Sequence, residues 1–241
     1  MNNKIKFFLT IILFSIVTVP VGTITHEFGH YFFAKIIGEE PVIKYNMTEI
    51  PEYSKISEKV SSEINSKLNC ANKRLLENAS FEWYSISTLL SKETNKEYLH
   101  FLNGLKIIAI GGPFITIFLG SFGFFVLLFR CRGKSIVFDY LNIFLVFTSL
   151  FWLREIFGFI QIVFSMNIHQ TYTDELIIAR LYKLPLLSLI SILALIGFVV
   201  FAIVVYKIEN NLRKVFVTAL FLGSITGYLI WFYVLGPLLM P

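Results

Sequence analysis

His26 and His30 stand four residues apart, with Glu27 beside the first, in the stretch THEFGHY that begins at Thr25. On a helix this spacing projects both imidazoles from one face. Two neutral ring nitrogens can then reach one zinc ion at about 2 Å each. Zinc lowers the pKa of a bound water towards about 7, and a neighbouring carboxylate such as Glu27 can take its proton as the water attacks a carbonyl. Gly29, inside the motif, has no side chain, so a substrate backbone could approach closely there. With only four His in the chain, chance produces this pattern on the order of once in several hundred sequences of this composition. The motif is therefore specific enough to anchor a functional reading.

The elements that must position these residues are apolar. The chain of 241 residues is 56% hydrophobic, 17% aromatic and only 15% charged, with a mean hydropathy of +0.70. Soluble domains carry about 25% charged residues, so an integral membrane protein is expected. A membrane-spanning helix needs about 20 mostly apolar residues, and five segments qualify: 5–37, 101–129, 136–164, 184–206 and 215–239. The N-terminal run extends to the histidines without a small-x-small cleavage site, which predicts a retained helix rather than a signal peptide. The organisation expected is a first transmembrane helix over 1–38, a polar extramembrane loop over 39–100 and the remaining helices over 101–241. Within the loop, Ile56, Val60, Ile64 and Leu68 recur every four residues and predict an amphipathic helix. The formal charge of +5 is scattered, with no basic block suited to nucleic acid.

Five spans put the termini on opposite sides. The side of the N-terminus carries Lys4, Lys6, Arg130, Arg132, Lys134, Lys207, Arg213 and Lys214, whereas the short loop opposite offers Arg180 and Lys183. By the positive-inside rule the N-terminal side is cytoplasmic. Cys70 and Cys131 then fall on opposite sides, so no disulfide between them is expected. At 1.5 Å per residue, His26 lies roughly 30 Å along the helix from Lys6 and about 13 Å from Lys35. The motif is thus within the membrane's depth, displaced towards the side bearing the 39–100 loop.

A catalytic zinc wants three protein ligands and an open position. Of the two aspartates, Asp139 opens the third span at the wrong end, while Asp174 lies on the motif's side just before the fourth span. Topology leaves Asp174, Glu175, His169 and His100 as candidates, with the third ligand segment near 167–183. Glu155, beside Arg154 in mid-span, reads as a paired buried charge. Gly111-Gly112-Pro113 also sits in the half of its span nearest that side.

These features together resemble the site-2 protease family of intramembrane zinc metalloproteases. The family's first motif is matched by His26, Glu27 and His30. Its Gly-Pro-x-x-Asn is matched by Gly112 and Pro113, with Thr116 in place of Asn. Its Asn-x-x-Pro-x-x-x-Leu-Asp-Gly has its nearest counterpart from Asn167 to Asp174, one residue shorter, without the Pro and with Thr173 and Glu175 flanking the Asp. The resemblance covers residues 19–185. It implies Zn2+ held by His26, His30 and Asp174, with Glu27 as general base. It also implies that Asn167 binds substrate backbone or an oxyanion, and that the substrate is a membrane protein cut in or near a transmembrane segment. Helical backbone in lipid is fully hydrogen-bonded, so such a substrate must be unwound and hydrated. Gly111, Gly112 and Pro113, disturbing their own helix and joined by Thr116, are expected to line the water-filled cavity where this happens.

The expectation is an all-α polytopic membrane protein of about five transmembrane helices, acting in the lipid bilayer as a zinc metalloendopeptidase. Two alternatives stand beside it. One is a membrane zinc protease of another class, with Glu175 or Glu155 as third ligand. The other is a non-catalytic, protease-like membrane scaffold.

Overall fold

The computed structural model describes residues 3–53, 55–56, 96–165 and 173–240. The chain begins with α1 (Asn3–Ile36), followed by a small hairpin, β1 (Val42–Ile43) and β2 (Thr48–Glu49). Next come α2 (Lys96–Arg130), α3 (Tyr140–Ser149), a 3-10 turn (Leu150–Trp152) and α4 (Leu153–Ser165). The short α5 (Asp174–Leu181) precedes α6 (Ser188–Lys207) and α7 (Asn210–Ile230), which runs through a π-helical turn (Trp231–Leu235) into α8 (Gly236–Leu239).

Among the described residues, five helical stretches are long and apolar enough to cross a membrane: Lys4–Ile36, Leu99–Arg130, Tyr140–Phe164, Ser188–Lys207 and Asn210–Leu239. They correspond to the five apolar runs, with shifted ends. The third starts at Tyr140 rather than 136 because Asp139 caps it, accepting a hydrogen bond from the Asn142 backbone N–H at 2.7 Å. That bond, helped by Arg130 at 3.2 Å, holds the Asp139 carboxyl below its ordinary pKa. The fourth starts at Ser188, after Pro185.

α1 shows why it sits where it does. Ile5, Leu9, Leu13, Val17, Val21, Ile24, Phe28, Phe32 and Ile36 are exposed along one stripe, while Ile11, Ser15, His26, His30 and Ala34 are buried on the opposite face. An apolar exposed stripe suits lipid, and in lipid it is small residues that let helices meet closely. A Cβ at Gly223 or Gly227 of α7 would come 2.7 Å from the carbonyl oxygens of Ile12 and Ile16. A Cβ at Gly29 would overlap the Gly111 backbone of α2. These two seams wedge α1 between α2 and α7.

The described residues are mostly helical, as expected of an all-α membrane protein, with one small hairpin in which β1 and β2 pair antiparallel, Val42 opposite Glu49 and Ile43 opposite Thr48. One expectation needs correction. Gly111-Gly112-Pro113 does not interrupt its helix, since α2 runs unbroken through it. Pro113 forfeits the intrahelical hydrogen bond to the Ala109 carbonyl, and α1 packs against the glycine pair beside it. Of the predicted amphipathic helix, Ile56 packs beside Ile50 and Tyr53, while Val60, Ile64 and Leu68 lie outside the described residues.

Candidate metal centre

α1 turns the His26 and His30 imidazoles to the same side, with their Nε2 atoms 3.0 Å apart. His30 Nδ1 lies 2.7 Å from the Ile108 carbonyl of α2. This contact assigns the proton to Nδ1, which leaves the Nε2 lone pair facing the shared space. The Gly112 N–H also approaches Nδ1, at a longer 3.4 Å, and cannot donate to it in that tautomer. Gly112 has a second part in the geometry: a Cβ there would overlap His26 Cε1 and Nε2 and His30 Nε2. The glycine is what leaves room for both rings.

Asp174 arrives from the other side of the chain. It opens α5, whose N-cap is Thr173. Its Oδ2 is 2.7 Å from His26 Nε2, and its Oδ1 is 3.5 Å from His30 Nε2. Two ligand atoms on a tetrahedral zinc, each at about 2.0–2.1 Å, are roughly 3.3 Å from one another. Separations of 3.0, 2.7 and 3.5 Å fall close to that figure, so this donor set fits a small divalent ion. Glu27 contributes a carboxylate oxygen within 4.8 Å of the imidazole nitrogens, and His26, Glu27 and His30 are all buried.

Thr48, on β2, was not singled out by the sequence. Its hydroxyl lies 2.8 Å from the Glu27 carbonyl and 3.1 Å from Glu27 Oε2, within donating distance of both. The hairpin that carries it is tied down at its other end. The Tyr45 N–H donates to the Met240 carbonyl at 3.2 Å, and Trp231 Nε1 donates to the Tyr45 carbonyl at 3.1 Å. Nothing in the local sequence announces this contact, because it depends on where a two-residue strand comes to rest.

The remaining predicted residues separate clearly. Glu175 is buried and faces Arg154 rather than the imidazoles. Glu155 is buried and does not face the imidazoles; it lies near Glu175 and Arg154. His100 is exposed at the start of α2. Asn167 and His169 lie outside the described residues. Beside the site is a cavity of about 450 Å³. Glu27, His30, Thr48, Arg154, Gln161 and Asp174 contribute to its wall, with Leu105 and Ile108 forming an apolar part. Gly111, Gly112, Pro113 and Thr116 are not among its lining residues. They are buried where α2 meets α1, and a Cβ on either glycine would overlap atoms of α1.

No family model, curated protein or solved structure matches this chain. The chemistry therefore rests on the residues themselves.

Proposed function

We propose that this chain is a multi-pass integral membrane zinc endopeptidase that cuts membrane-protein substrates in or near their transmembrane segments, as the site-2 protease resemblance implies. The observation that carries the reading is the meeting of His26 Nε2, His30 Nε2 and the Asp174 carboxylate within 3.5 Å, with the Glu27 carboxylate alongside. His26, His30 and Asp174 would hold the zinc, which supplies an acidified water and polarises the scissile carbonyl. Glu27, whose carboxylate lies beside the imidazoles, would be the general base and would pass the proton to the leaving amine. Thr48 fixes the carboxylate for this work. The cavity between the hairpin, α2, α4 and α5 gives an unwound substrate strand a polar wall and an apolar one. The site lies towards the side bearing the 39–100 loop.

Zinc content of the purified protein tests the reading. The wild type is expected to carry about one zinc per chain, and His26→Ala and Asp174→Ala to lose it. Retention in Asp174→Ala would move the third ligand to Glu175 or His169, and a folded wild type without zinc would sink the enzyme.

A smaller effect attaches to Thr48. Thr48→Val keeps the shape and removes the donor to Glu27. Hydrogen bonds to charged groups contribute about 1.5–3 kcal/mol, so kcat for cleavage of a single-span reporter protein should fall by roughly tenfold or more, with KM and zinc content little changed. Thr48→Ser should restore it. An unchanged kcat in Thr48→Val would remove Thr48 from the mechanism.

A further inference from the structure

Arg154 is charged and sits within the third apolar span, between the 3-10 turn and the body of α4. A charge at such a position is costly and calls for partners. Its sequence neighbour Glu155 is not the partner the geometry provides. Arg154 Nη2 instead donates to Asp174 Oδ2 at 3.0 Å, while Nη1 lies 3.6 Å from Glu175 Oε1. One guanidinium therefore spans two consecutive carboxylates in the first turn of α5. Its side chain, 39% accessible, opens onto the cavity.

We infer that Arg154 is a positioning residue for the metal centre: it holds the Asp174 carboxylate in the rotamer that faces both imidazoles. This rests on the zinc reading above. The Oδ2 that faces His26 at 2.7 Å is the oxygen Arg154 grips at 3.0 Å, and Oδ1 is left facing His30. A planar guanidinium fixes the direction of its partner in a way a point charge does not, and groups that orient metal ligands are part of the affinity. α5 has only eight residues, and the Arg154 contacts tie its first turn to the start of α4. Glu175 shares the guanidinium with Asp174, so part of the arginine's charge is offset without drawing on Asp174.

The test measures zinc affinity by competition with a chromophoric chelator, on detergent-purified full-length protein, per folded chain. Arg154→Gln should bind zinc about 10- to 100-fold more weakly than wild type. Arg154→Gln/Glu175→Gln removes both members of the offsetting pair, so it folds without an unpaired Glu175, and it should stay about as weak as the single variant. Wild-type affinity in the double variant would mean that Arg154 serves only to neutralise Glu175, and it would overturn the inference. So would wild-type affinity in a folded Arg154→Gln. Absence of zinc from the wild type would instead overturn the metal reading itself, an outcome distinct from either.

Discussion

Gly112→Ala is expected to abolish stable zinc binding while leaving the helices in place. The added methyl would occupy the space now taken by His26 Cε1 and by the two Nε2 atoms whose lone pairs must converge. Neither ring has an easy retreat. His30 is held from behind by the Ile108 carbonyl at 2.7 Å, and His26 is 1% exposed. The helices cannot separate readily either, because Gly29 and Gly111 already bring the α1 and α2 backbones together beside the site. Alanine favours a helix more than glycine does, so α2 itself gains, and the damage falls on the metal. Substitutions around metal ligands commonly cost 10- to 100-fold in affinity; one that displaces two ligands at once should reach about 100-fold or more. Zinc per chain and helical circular dichroism, measured together, separate loss of metal from loss of fold. Gly22→Ala is the control on α1, since its Cβ would meet only Phe151, at 3.8 Å. Wild-type zinc affinity in Gly112→Ala would mean that these two imidazole edges are not where the ion sits.

The contrast between Gly112 and Thr48 shows what a linear reading of this chain can and cannot reach. Long apolar runs identify spanning helices because length and hydropathy are properties of the segment alone, and the five runs reappear with ends moved by Asp139, by Pro185 and by α7 extending back to Asn210. The HExxH face was legible for a similar reason, since helix geometry alone puts i and i+4 side by side. Topology and the scarcity of aspartates left Asp174 beside Glu175, His169 and His100, and only the site-2 protease resemblance singled it out; its approach to His26 joins residues 148 apart in sequence. The hairpin was not legible. Strands of two residues carry no periodicity, and this one is held by Glu27 below and by Tyr45, Trp231 and Met240 at its tip. Gly-Gly-Pro was visible as an irregularity, but the helix runs unbroken through it and the glycines meet α1. The sequence cannot distinguish a glycine that opens a cavity from one that closes a helix seam. Arg154 was visible as a mid-span charge, but its partners lie 20 and 21 residues away on another helix, beyond any local pattern.

Glu27→Gln should remove catalysis and spare the metal. The glutamine side chain has nearly the same size, and its amide oxygen can still accept the Thr48 hydrogen bond now made to Oε2 at 3.1 Å. What it cannot do is take a proton. General base catalysis contributes about 10²- to 10⁴-fold, so kcat for cleavage of a single-span reporter protein should fall about a thousandfold. Zinc content should match the wild type, because His26, His30 and Asp174 hold one another's vicinity without Glu27. Each departure has a definite meaning. Glu27 lies close enough to the imidazoles to ligate, so zinc lost in Glu27→Gln would make it a ligand and leave the base to be found elsewhere. Cleavage retained with zinc retained would remove Glu27 from the chemistry. Cleavage lost in Glu27→Gln and only weakened in Thr48→Val would order the two residues as proton acceptor and its support, since a carboxylate that must move a proton matters more than the hydroxyl that aims it.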